Sequence, residues 1–85
     1  MTLLLSPNPA STRVSVSYEL QEGVDYHVCS VVVSNLAGQQ VVSSKLSSGN
    51  GKETLSLLDL PAGTYVVSIT NGGTVLGSQR LIKGK

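Results

Sequence analysis

The sequence contains no tryptophan, no phenylalanine and only one cysteine among its 85 residues. A hydrophobic core must therefore be built from aliphatic side chains and at most three tyrosines. A chain with a single cysteine cannot form an internal disulfide, and this count leaves the redox compartment open. A chain this short makes one domain, so we expect residues 1–85 to fold as a single unit.

Charged residues are also scarce. They make up 13% of the chain, with six basic and five acidic residues and a net charge of +1. This charge is too small and too dispersed for the basic stripe that nucleic-acid binding needs, so we expect no nucleic-acid partner. Weak electrostatic repulsion leaves self-association into a homodimer open.

Long apolar runs are missing as well. No run approaches the roughly 20 residues of a membrane helix. The three leucines at residues 3–5 are too few for the core of a signal peptide and have no basic flank. If the domain is secreted, we expect its export signal to lie elsewhere in a longer precursor.

The apolar residues that are present alternate with polar ones. This period of two, typical of β-strands with one wet face, is clearest in residues 13–20 and 63–70. Further strands are predicted over residues 2–6, 27–35, 39–46, 53–58 and 74–83, with Leu55 and Leu57 pointing inward. The side chains expected to face the core in the two regular strands are Val14, Val16, Tyr18, Leu20, Tyr65, Val67 and Ile69. Three valines break the polar faces and could form an exposed apolar patch, namely Val28, Val32 and Val66.

Turn residues separate these strands. Pro7 and Pro9 end the first strand, Gly38 lies in a tight reversal, and Gly72 and Gly73 form a hairpin turn. About seven short strands at this spacing predict an all-β, immunoglobulin-like sandwich of two antiparallel sheets. Tyr65, just after a proline-glycine corner, is expected to donate its hydroxyl to the upstream backbone.

The sequence gives little support for a catalytic or metal-binding site. His27 and Cys29 would share one face of a strand, but no further ligand lies nearby, which favours structural roles over a metal site or a nucleophile pair. Glu19, Glu22 and Asp25 are expected in a solvated loop. No Gly-x-Ser-x-Gly or phosphate-binding loop is present. The sequence therefore predicts a non-enzymatic domain without a metal or cofactor.

Three motifs and the chain ending together resemble a known family. The first motif is Ser6-Pro7-Asn8-Pro9-Ala10-Ser11. The second spans residues 33–41 around Gly38. The third spans residues 57–67 and contains Pro61, Gly63 and Tyr65, and the ending is Arg80-Leu81-Ile82-Lys83 followed by Gly84-Lys85. In this order they resemble the C-terminal sorting domain of the type IX (Por) secretion system of Bacteroidetes.

The resemblance implies an immunoglobulin-like sandwich at the C-terminus of an exported cargo protein. Such a domain passes through the periplasm, directs its cargo through the type IX outer-membrane translocon, and is removed at the cell surface by a sortase-like protease. The cargo then stays on the outer membrane or is released. By the same resemblance, the structural motif residues are Pro7, Asn8, Pro9, Gly38, Pro61, Gly63 and Tyr65, and the recognition signal is Arg80, Leu81, Ile82 and Lys83.

The last strand suggests a mechanism of recognition. If it is an edge strand, its unpaired backbone groups can be recognised by strand addition, with specificity from residues 80–83. The alternative is that these residues merely close the sandwich. Deletion of residues 80–85 is expected to abolish export, and proteolytic removal is expected before Met1 or within the first few residues.

Two other functions fit a β-sandwich. One is an adhesin-type or carbohydrate-binding module, which usually presents aromatic platforms to sugar rings. The other is a structural spacer between domains. Only three aromatic residues are available for a platform, and two of them are expected in the core.

Overall fold

The computed structural model describes residues 1–84, and within them the chain forms seven β-strands. Residues with alternating polarity form most of them, because a strand places successive side chains on opposite faces. The strands are β1 (Thr2–Ser6), β2 (Arg13–Glu19), β3 (Cys29–Asn35), β4 (Gln40–Lys45), β5 (Asn50–Ser56), β6 (Gly63–Asn71) and β7 (Thr74–Lys83). A single 3-10 turn, Tyr26–Val28, precedes β3.

The strands form two antiparallel sheets. One sheet has the order β1-β2-β5 and the other has the order β4-β3-β6-β7. The predicted immunoglobulin-like sandwich is therefore confirmed. The β6–β7 hairpin closes through Gly72 and Gly73, which have positive φ angles of 57° and 104°. A two-residue loop of this kind suits glycine because it has no Cβ.

The core lies between the two sheets and is aliphatic. The inward residues expected in β2 and β6 are buried, namely Val14, Val16, Tyr18, Tyr65, Val67 and Ile69. Leu20 lies just past β2 and is partly buried against the core. Leu55 and Leu57 are both buried, although Leu57 follows the end of β5. Each such side chain contributes about 1.5–3 kcal/mol when it leaves water.

The prediction that Val28, Val32 and Val66 form an exposed apolar patch is wrong. Val32 lies on the outward face of its sheet but is only 6% exposed, because β3 is a central strand between β4 and β6. Val66 is half-buried on the neighbouring strand. Val28 is exposed, but it belongs to the 3-10 turn instead of a strand.

Some strand boundaries also differ from the prediction. β3 begins at Cys29 instead of residue 27, because Asp25 accepts a hydrogen bond from the His27 amide and caps the 3-10 turn. β5 begins at Asn50 instead of residue 53, because residues 50–52 also pair with β2. These residues carry no apolar pattern that could have signalled a strand.

Candidate recognition surface at the C-terminal strand

The predicted signal at the end of β7 divides between two faces of the sheet. Leu81 is fully buried, and Lys83 is 8% exposed with its Nζ donating to the Gly84 carbonyl at 2.9 Å. Arg80 is exposed, and Ile82 is 38% exposed. This split follows from the two-residue period of a strand. Only Arg80 and Ile82 therefore present side chains that a partner could contact.

The outer edge of β7 is covered by the segment that follows β1. Asn8 Nδ2 donates to the Arg80 carbonyl at 2.9 Å, and Asn8 Oδ1 accepts from the Ile82 amide at 3.0 Å. Ala10 continues the contact, with its amide 2.8 Å from the Ile82 carbonyl and its carbonyl 2.7 Å from the Gly84 amide. We call this segment, residues 7–10, the clasp.

The clasp corrects one expectation from the sequence. β7 is an edge strand of its sheet, as expected. However, the backbone groups near its C-terminal end are not free, because Ala10 forms a parallel bridge with Lys83 and Asn8 mimics a further strand residue. Strand addition at residues 80–83 would therefore have to displace the clasp. The Ser6–Pro7 and Asn8–Pro9 peptide bonds of this region are cis.

The third motif supports the same strand from its other side. The Tyr65 hydroxyl donates to the Pro61 carbonyl at 2.6 Å, which confirms the predicted role of this tyrosine. Tyr65 lies opposite Leu81, and Gly63 lies opposite Lys83 in the β6–β7 pairing. The corner at Pro61 therefore fixes the strand on which the C-terminal residues pair.

The turn around Gly38 lies at this same end of the sandwich. Gly38 has a φ of 86°, a conformation that glycine adopts at little cost, and its amide donates to the Asn35 carbonyl at 3.0 Å. The Asn35 side chain accepts from the amides of Ala37 and Gln39, both at 3.0 Å. Asn35 pairs with Tyr65, and Tyr65 pairs with Leu81. The turn therefore lies at the same end of the sheet as Leu81.

The fold thus brings together four groups of residues that are far apart in the chain. The clasp, the Gly38 turn, the Tyr65 corner and the end of β7 all lie at the same end of the sandwich. The sequence indicated each group but not their contacts, among them the two hydrogen bonds that join Ala10 to Ile82 and to Gly84. Lys85, the last residue of the chain ending that resembles the family, lies outside the described residues.

The family model for the secretion system C-terminal sorting domain matches residues 5–83, nearly the whole chain. The chain belongs to this family. Its members are sorting domains of type IX secretion, and they are non-catalytic in general. A sorting domain is part of a larger cargo precursor that is secreted. A comparison with curated proteins finds no match.

The residues of the sorting domain with acid-base or ligand chemistry lie at the opposite end from the clasp. His27 is exposed and its Nδ1 donates to Asp25 Oδ1 at 2.8 Å, whereas Cys29 is buried in the core. The expectation that His27 and Cys29 share a strand face is therefore wrong. Within residues 1–84, no three His, Cys, Asp or Glu side chains gather as metal ligands.

Two of these groups have shifted pKa values. The hydrogen bond from the His27 amide, followed by the bond from its ring, lowers the pKa of Asp25 below its ordinary 3.8. Burial raises the pKa of the Cys29 thiol above its ordinary 9.0, and the negative charge of Asp25 adds to this effect. The thiol is therefore neutral at physiological pH and packs as a small apolar side chain.

Other surfaces of the sorting domain show few features of a binding platform. Tyr18 and Tyr65 are buried at 4% and 5% exposure, as expected, and Tyr26 stacks on His27 with ring centroids 4.2 Å apart. Within residues 1–84, no helix is long and apolar enough to span a bilayer.

Proposed function

We propose that the whole chain is one C-terminal sorting domain that directs its cargo through the type IX outer-membrane translocon and is then removed at the cell surface by a sortase-like protease. The observation that carries this proposal is the family match over residues 5–83. The domain acts as a signal and a substrate and has no catalytic activity of its own. Its partners are the translocon, the protease and the N-terminal cargo, and its cargo ends on the outer-membrane surface or in the medium.

The recognition signal in this proposal lies in residues 80–83, with the clasp residues Pro7, Asn8 and Pro9 as its support. The exposure of Arg80 and Ile82 favours these two as the contacts, and the burial of Leu81 and Lys83 gives them a structural role. The motif residues Gly38, Pro61, Gly63 and Tyr65 hold the same end of the sandwich in shape.

Proteolytic removal would occur ahead of Thr2 in the precursor. Residues Thr2–Ser6 form β1 and pair with β2 along their whole length, from Thr2 opposite Glu19 to Ser6 opposite Ser15. A protease needs a flexible, extended substrate, and a paired strand does not offer one. Cleavage within β1 would first require that strand to leave the sheet.

A secretion assay tests the proposed function. The chain is fused to the C-terminus of a reporter that carries a periplasmic export signal and is expressed in a Bacteroidetes host with or without a working translocon. We expect reporter outside the cell only when the translocon works, with a mass that has decreased by about the 8.8 kDa of the domain. The same reporter without the domain is the control and should stay in the periplasm. Reporter retained in the periplasm of both strains would refute the proposal.

Homodimer formation is a separate proposal. It rests on the low net charge of +1, since the expected valine patch is absent from the surface of the described residues. Sedimentation of the purified chain across a concentration series decides it, and a constant monomer mass would exclude the dimer.

A further inference from the structure

The outward face of the four-stranded sheet has an unusual distribution of charge. It is lined by alternate residues of β3, β4, β6 and β7, many of which are serine or threonine. Two cations, Lys45 and Arg80, lie on this face, and none of its described residues carries a carboxylate. The acidic residues lie on the other sheet or in loops, at Glu19, Glu22, Asp25, Glu53 and Asp59.

One corner of this face combines a cation with aliphatic surface. Arg80 lies directly opposite Val66 in the β6–β7 pairing, and Ile82 follows two residues later on the same face. Side chains at directly paired positions are in contact range, so the Arg80 stem can lie along Val66 while its guanidinium stays in water. We call Arg80, Val66 and Ile82 the C-terminal corner.

The C-terminal corner is held in place before any partner arrives. On one side, β7 pairs with β6 along the whole strand, and on the other side Asn8 bonds to the backbone of both Arg80 and Ile82. A contact surface whose backbone is already ordered loses less entropy on binding. The clasp thus orients the two exposed side chains as well as covering the strand edge.

Arg80 has no carboxylate partner within residues 1–84, where His27 and Asp25 form an ion pair at the other end of the sandwich. Arginine is enriched at the centres of protein interfaces, where it pairs with carboxylates and packs on apolar groups. Ile82, at 38% exposure, adds an aliphatic contact next to this cation. The corner therefore suits an acidic protein surface with an apolar depression next to its carboxylate.

We propose that the C-terminal corner docks onto an acidic protein surface of the export machinery, with Arg80 paired to a carboxylate and Ile82 in an adjacent apolar depression. This inference rests on the proposed sorting function and names the chemistry of the partner. It assigns recognition to side chains on the sheet face instead of to the open edge of β7.

The first test uses the reporter fusion with charge and apolar variants. Arg80→Glu and Ile82→Ser should each lower the amount of exported reporter about tenfold, as expected when a central contact is lost, and Arg80→Lys should lower it less. The matched controls are Lys52→Glu, an exposed cation on the other sheet, and Leu58→Ser, an apolar loop residue that is 71% exposed. Both controls should be exported as the unchanged domain is.

Each variant is first compared with the unchanged chain by thermal unfolding, so that loss of export is not confused with loss of fold. If Arg80→Glu proves unstable, Arg80→Gln removes the charge and replaces it in the assay. Failure of the unchanged fusion to be exported would refute the proposed function itself. Normal export of the fusion and of folded Arg80 and Ile82 variants would refute the docking proposal alone.

A binding experiment separates a protein partner from an anionic lipid or polysaccharide. The purified chain is mixed with outer-membrane vesicles from the same host, before and after digestion of their exposed proteins, at low and high salt. We expect binding that decreases with salt, because exposed charge pairs are screened, and that is lost after digestion or with Arg80→Glu. Binding that survives digestion would overturn the proposal in favour of a lipid or polysaccharide.

Discussion

At the residue scale, the Tyr65 hydroxyl joins two parts of the chain that must meet for the last strand to pair. It is 2.6 Å from the Pro61 carbonyl, in a site where Tyr65 is 5% exposed. The bond is partly shielded from water, which makes it worth more than a fully exposed one. The aromatic ring itself packs in the core opposite Leu81.

We expect Tyr65→Phe to lower the free energy of unfolding by about 1 kcal/mol, because the ring stays buried while one hydrogen bond is lost. Chemical denaturation of the purified chain measures this change. The control is Tyr26→Phe, since the Tyr26 hydroxyl donates no hydrogen bond within the described residues, and this variant should match the unchanged chain. Equal stability of Tyr65→Phe and the unchanged chain would contradict a locking role for the hydroxyl.

At the scale of elements, β7 is secured by β6 on one edge and by the clasp on the other. The clasp is a short segment that is not itself a β-strand. The side-chain amide of Asn8 forms the hydrogen bonds to β7 that the backbone of a neighbouring strand would otherwise form. It leaves no apolar pattern in the sequence, although it decides whether the end of β7 is an open edge.

Replacing Asn8 tests the clasp. Asn8→Ala removes two hydrogen bonds and should destabilise the chain by about 1–2 kcal/mol. Amide exchange of Ile82 should accelerate, because its N–H loses its acceptor, while Leu81 pairs on the β6 side and should change less. Asn50→Ala, at an exposed position of β5, is the matched control. Unchanged exchange at Ile82 would show that the clasp does not hold this strand.

At the scale of the whole molecule, the C-terminal residues serve both the core and the surface. Leu81 is fully buried and Lys83 bridges to Ala10, so the chain end is part of the folded unit. A chain of 85 residues has a stability of only about 4–13 kcal/mol at the usual values per residue. Loss of one buried leucine side chain alone costs about 2–5 kcal/mol.

We therefore expect deletion of residues 80–85 to unfold the domain, because it removes Leu81, the end of the β6–β7 pairing and the clasp contacts together. Far-UV circular dichroism during heating should show no cooperative transition for the truncated chain. Export lost on this deletion would then report folding as well as recognition. A truncated chain that melts cooperatively near the midpoint of the full chain would contradict this, and Arg80→Glu is the more selective probe.

Much of the fold was predictable because alternation is a local property of the chain. The inward residues of β2 and β6 followed from the period of two, and the Tyr65 bond followed from a corner spanning four residues. The family resemblance of residues 5–83 also rested on motifs that are local in the sequence. The start of β3 was missed because the side chain of Asp25 caps a 3-10 turn that has no apolar period.

The sequence by itself determined the strands, most of their inward faces and the sorting-domain family. Only the tertiary structure decided which residues at the chain end are exposed and which strand edge is open. The clasp joins Asn8 to residues 72 and 74 positions away, and Val32 is buried by strands on both sides. Periodicity acts between near neighbours, whereas burial and edge pairing depend on which distant segments the sheets bring together.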